Sequence, residues 1–72
     1  MSKYGHLWMY IDLIFKRTNK EKIELSFNQI KDATGFDIDH SFLNYKKELL
    51  DYGYKVEKIK LKDKIIIFLK ID

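Results

Sequence analysis

Leu25-Ser26-Phe27-Asn28-Gln29-Ile30, closed by Gly35, and Ile38-Asp39-His40-Ser41-Phe42-Leu43, closed by Gly53, decide the fold. Ser26 with Gln29 three residues on has the spacing of a capping box. Leu25 before the cap and Ile30 after it stand where a hydrophobic staple needs them. A helix is therefore predicted from Phe27, with Phe27, Ile30 and Ala33 on its inner face, ending at Gly35. Asp39 supplies a second N-cap, with Ile38 and Leu43 as its staple pair. The pattern predicts one helix from about His40 to Tyr52. Gly53 takes the left-handed stop position, and Tyr54 packs back on Leu49.

Outward toward the N-terminus, Leu7, Trp8, Ile11, Ile14 and Phe15 recur at helical spacing over residues 5–16. Met9, Tyr10 and Leu13 widen that stripe. A helix apolar nearly all round in a small domain is expected to meet a partner. Residues 17–22 read as a polar turn, and Ile23-Glu24-Leu25 alternates as a short strand. Outward toward the C-terminus, residues 54–61 and 64–71 read as strands. Tyr54 and Val56 are in one phase and Ile59 and Leu61 in the other, which predicts a bulge near Glu57-Lys58. Lys62-Asp63 makes the turn between them. Ile65 to Leu69 is apolar in both phases. One face of that strand is expected to pack on the helices, leaving Ile66 and Phe68 on the other face in need of cover.

The element order is helix, strand, helix, helix, strand, strand. This predicts a single α+β domain over residues 1–72, a winged helix-turn-helix-like arrangement with a small antiparallel sheet. The third helix is then the reader of a major groove and the terminal hairpin is the wing.

Seventy-two residues hold one core at most, and such a chain buries only about 60% of its unfolded surface. With hydrophobic content at 46% and charged content at 35%, the composition is globular. Cysteine is absent, which excludes disulfides and thiolate metal sites. There is no apolar run of membrane-spanning length and no signal-peptide layout, so a cytoplasmic protein is expected, without membrane contact. The net charge is +3. Residues 1–39 are neutral, and residues 40–72 set eight lysines against Glu48, Asp51, Glu57, Asp63 and Asp72. A basic half can footprint on nucleic acid. A lysine-rich, isoleucine-rich chain with a single arginine is also what an AT-rich coding sequence produces.

Several segments resemble a known group. Lys3-Tyr4 with Leu7 and Tyr10, then Ile23-x-Leu25-Ser26-Phe27-x-x-Ile30, then Gly53-Tyr54-Lys55-Val56 and the closing Ile67-Phe68 look like a family of short, uncharacterised bacterial winged-helix-like domains. The likeness covers most of the chain in outline. Larger relatives carry a Leu-Pro-x-Ser-Ala-Arg segment and a Trp-Trp pair in the middle. Here that stretch is shortened and mostly absent, and Ser41 is the position that matches. The resemblance implies a winged-helix-like frame and supplies no catalytic residues.

No catalytic constellation is legible. His6 and His40 are the only imidazoles, each near a helix start, and neither has a second histidine at metal spacing. Asp37 and Asp39 suit a turn and a cap. The chain is therefore expected to be non-enzymatic, with no cofactor and no metal. The sharper expectation is double-stranded DNA as partner. Ser41, Asn44, Tyr45 and Lys47, with Glu48, would face the groove, and Lys58, Lys60, Lys62 and Lys64 would hold phosphates. Lys58, Lys60 and Lys62 alternate and should project from one strand face. Against this, Lys46 and Lys47 are balanced by Glu48 and Asp51. The rival expectation is a protein-interaction adaptor or inhibitor on the same frame, or a homodimer, using Met9, Tyr10, Leu13, Ile66 and Phe68.

Overall fold

A computed structural model describes residues 3–71, apart from the side chain of His40. Helix α1 spans Gly5–Thr18, strand β1 Lys22–Ser26, helix α2 Phe27–Thr34 and helix α3 His40–Tyr45. A 3₁₀ segment, Lys46–Tyr52, follows, and strands β2, Tyr54–Lys60, and β3, Ile65–Lys70, close the chain. The strands form one antiparallel sheet in the order β1-β3-β2. The molecule is thus α+β, with three α-helices and a small open sheet.

The local signals act as the side-chain chemistry dictates. The Gln29 N–H donates to Ser26 Oγ at 3.0 Å, and the Ser26 N–H donates to Gln29 Oε1 at 2.8 Å. Both arms of the capping box are therefore made, and Leu25 and Ile30 are buried beneath it. Asp39 caps α3 by accepting the Ser41 N–H at 2.9 Å. Gly35 and Gly53 end their elements at φ +84° and +91°, a region that costs glycine nothing. The bulge lies where the phase shift put it, between Val56 and Lys58.

Two expectations are corrected. The third helix is not continuous. After Tyr45 the backbone tightens to 3₁₀ geometry, with Leu49 buried and Leu50 52% exposed; Leu43, within α3, is 51% exposed. The second correction concerns Ile66 and Phe68, which are fully buried and not on an open face. Register is the reason. Strand β1 alternates strictly, with Ile23 and Leu25 inward, and its partners are Phe68 and Ile66. On the other side Val56 faces Phe68 and Ile59 faces Ile66. The outward residues of β3 are Ile65, Ile67 and Leu69. Ile67 is nevertheless buried. Glu24 and Lys58 stand beside it on the flanking strands, and a Lys22–Glu57 ion pair at 3.9 Å joins the two outer strands across β3. Charged side chains laying their methylene stems over an apolar strand cover it without a partner.

The core sits between the inner sheet face and the helices. At one end Tyr4 meets Trp8, Phe36 and Phe42 at ring-centroid distances of 5.7, 5.4 and 5.7 Å. At the other end Phe15 stacks on Tyr54 at 4.4 Å, and the Tyr54 hydroxyl donates to Asp12. These contacts pin α1 to the α3 region and to β2. No helix among the described residues is long and apolar enough to cross a membrane.

Candidate nucleic-acid interface

Strand β2 is an edge of the sheet, and the 3₁₀ segment packs beside it. Lysines gather along this border. Lys46 and Lys47 from the 3₁₀ segment and Lys55 from β2 line one cleft of about 200 Å³, floored by Leu50 and Val56. Lys58 and Lys60 follow along β2, beside Ile67 and Ile65 of β3. Lys62 and Lys64 lie in the hairpin turn over residues 61–64. The Lys64 carbonyl accepts the Phe27 N–H at 2.8 Å, which ties the turn to the start of α2. The three-tooth comb is thus two strand positions, Lys58 and Lys60, with Lys62 beyond the strand end. None of these seven lysines is in an ion pair among the described residues.

Two of the nearby acids are held by other partners. On the sequence, Glu48 and Asp51 balance Lys46 and Lys47, and Glu57 and Asp63 offset two of the five hairpin lysines. In the fold Glu48 accepts the Trp8 indole N–H at 2.9 Å, and Glu57, at the bulge, is paired with Lys22 from the far edge. Both carboxylates are drawn away from the lysine border. Glu48 is therefore engaged with the core and is not one of the groove-facing residues.

Of the other positions predicted to face DNA, Asn44, Tyr45 and Lys47 are exposed. Ser41 is half-buried, and its hydroxyl donates to Asp39 Oδ1 and lies 2.9 Å from the Tyr4 hydroxyl. Lys3 completes this cluster, with its ammonium 3.2 Å from Asp39 Oδ2. The Ser41 hydroxyl and the Lys3 ammonium hold the Asp39 carboxyl well below the usual carboxylate range. Burial raises the Tyr4 hydroxyl, against a lowering by its bond to Ser41. The arrangement is a helix cap locked to α1, and it leaves Ser41 little freedom to reach a phosphate.

An apolar groove was not anticipated. It holds about 350 Å³ and is lined by Phe27, Ile38, Phe42, Leu43, Ile59 and Leu61, with Asp39 at its polar end. It lies between the α2–α3 region and the hairpin. Leu61, at the turn, is 74% exposed. The signal for it was an unpaired leucine between Lys60 and Lys62. Likewise the basic cleft joins Lys46, expected only to flank the groove-facing residues, to Lys55, which the charge pattern counts with the wing lysines.

On α1, Met9 and Leu13 are exposed, at 60% and 50%, as the widened stripe predicted. Tyr10 is partly buried against the core and borders a cleft with Ile14 and Ile23. His6 is exposed, and the side chain of His40 lies outside the described residues. Among the described residues no group of three or more His, Asp or Glu side chains could hold a metal ion.

No protein-family pattern, curated protein sequence or solved structure matches the chain.

Proposed function

We propose that the chain is a non-catalytic, winged-helix-like domain that binds double-stranded DNA, a small bacterial or phage regulator working in the cytoplasm. The observation that carries this reading is the border of seven lysines, without ion pairs among the described residues, along the 3₁₀ segment, β2 and the hairpin turn. Two of the acids in that stretch, Glu48 and Glu57, are engaged elsewhere, while Asp51 and Asp63 stay exposed beside the lysines. In this reading the hairpin is the wing. Lys58, Lys60, Lys62 and Lys64 hold phosphates, and Asn44, Tyr45 and Lys47 face the duplex. The likeness of Lys3-Tyr4, Ile23 to Ile30 and Gly53 to Val56 to short bacterial winged-helix-like domains belongs to the same proposal.

Phosphate contacts position a protein on DNA, and base contacts specify sequence. This surface is rich in the first and poor in the second. It has no arginine, the residue most often paired with guanine. The reading therefore predicts binding with weak sequence preference. Lys58→Glu with Lys60→Glu should abolish duplex binding, whereas Met9→Asp on the exposed side of α1 should leave it unchanged. Equal binding by the lysine double variant and the unaltered protein would overturn the reading.

A second reading is favoured by one specific observation. The 350 Å³ apolar groove, with Leu43 and Leu61 exposed on its rim, suits an adaptor that takes an apolar side chain of another protein. Leu61→Asp would then remove the activity while lysine changes would not. Phe68 is unsuitable for such a test, because it is part of the core.

A further inference from the structure

Resting on the DNA reading above, we infer that the cleft formed by Lys46, Lys47 and Lys55 is a clamp for a single backbone phosphate, distinct from the contacts made by the hairpin turn. Three lysines from two elements border one small cleft, and no carboxylate among the described residues lines it. Like charges on neighbouring side chains repel one another, and an anion bound among them relieves the repulsion. The floor of the cleft is apolar, made by Leu50 and Val56, with Leu50 half exposed. A deoxyribose presents an apolar face beside its phosphate, so a sugar on Leu50 and Val56 puts the phosphate among the lysines.

The backbone holds this geometry in place. Gly53 ends the 3₁₀ segment and leads directly into β2, with its N–H donated to Leu50 O at 3.0 Å and its carbonyl accepting the Ile71 N–H at 2.8 Å. The two walls of the cleft are therefore joined by a short, hydrogen-bonded corner. Lys55 and Lys60 stand five positions apart on β2, roughly 16 Å at strand rise. Each DNA strand carries a phosphate about every 3.4 Å of axis, so the cleft and the turn meet different phosphates. The clamp fixes the register of the duplex along β2, and the turn lysines make looser contacts farther on.

The test is the salt dependence of binding to a labelled mixed-sequence duplex, measured by fluorescence anisotropy between 50 and 200 mM salt on the order used for such titrations. One variant carries Lys46→Gln, Lys47→Gln and Lys55→Gln together; a second carries Leu50→Glu, which places a carboxylate in the cleft and keeps every lysine. All four positions are exposed. Circular dichroism checks that both variants fold. The triple variant should bind about 10-fold more weakly at low salt, with its log–log salt slope reduced by about 1, because one phosphate is lost. Leu50→Glu should weaken binding to a similar degree. A slope reduced by nearly 3 would show three separate phosphate contacts and overturn the clamp. Unchanged binding by the triple variant, with the unaltered protein bound, would overturn the clamp and leave DNA binding standing. Absence of binding by the unaltered protein would overturn both.

Discussion

Tyr54 shows how much one side chain does in a domain this small. Its ring stacks on Phe15, and its hydroxyl donates to Asp12, which also pairs with Lys16 at 3.0 Å. Burial, then the neighbouring Asp12 carboxylate, pushes the Tyr54 hydroxyl up to about 12. The bond from Tyr54, then that from Lys16, holds Asp12 below its ordinary 3.8. The signs follow. Protonated Tyr54 contributes stability that is fully present below pH 10 and is lost as pH rises toward about 12. Ionised Asp12 contributes stability that is present above pH 3.8 and is lost as pH falls through its lower folded value. Tyr54→Phe keeps the ring stack and removes the hydroxyl, so it should cost about 1 kcal/mol near neutrality. Chemical denaturation against pH should show that difference shrinking above pH 10 and in acid. A constant difference across pH would contradict the assignment. None of this was legible in the sequence. Asp12 and Tyr54 lie far apart in the chain, and no local pattern joins them. The same holds for Glu48, which reads as an exposed helix acid until the fold brings it to the Trp8 indole.

At the scale of elements, local chemistry was readable and tertiary phase was not. The capping box at Ser26 needs only neighbouring residues, and it forms as read. Ser26→Ala should cost about 1 kcal/mol, a fall in Tm of roughly 4–8 °C for a domain of this size, measurable by thermal denaturation. The bulge at Glu57 was also local, since the apolar phase changes there. Strand β3 is different. Apolar residues occupy both of its phases, so nothing within it says which face turns inward. The decision comes from β1, whose alternation is strict and whose register sets Phe68 and Ile66 inward. The information lay in the chain, but in pairing between distant strands. Ile66→Ala should therefore cost about 2–5 kcal/mol by opening a core cavity, whereas Leu13→Ala on exposed α1 surface should stay within about 0.5 kcal/mol. Denaturant midpoints of the two variants check this, and the reverse ranking would contradict the register. The third helix also escaped local reading. Its caps at Asp39 and Gly53 were correct, but the sequence between them carries no mark of the change to 3₁₀ geometry at Lys46.

For the whole molecule, charge separation is the feature from which the proposed function is argued. The chain has a modest net charge of +3. The fold draws Glu48 toward Trp8 and Glu57 toward Lys22, which leaves seven lysines along β2 and its flanking elements with Asp51 and Asp63 as the exposed acids among them. Composition foretold that the C-terminal half is basic, and the hairpin lysines were identified from their spacing. The contribution of Lys46 and Lys55, and the apolar groove at Leu43 and Leu61, required the packing of the 3₁₀ segment and the turn. The measurement that tests the central claim most directly is anisotropy of a labelled mixed-sequence duplex titrated with the unaltered protein at about 50 and 200 mM salt. Binding that weakens about 10-fold or more between those salts is the predicted result, as several phosphate contacts require. No binding at low salt up to roughly 100 μM protein, weaker than ordinary non-specific association, would contradict it.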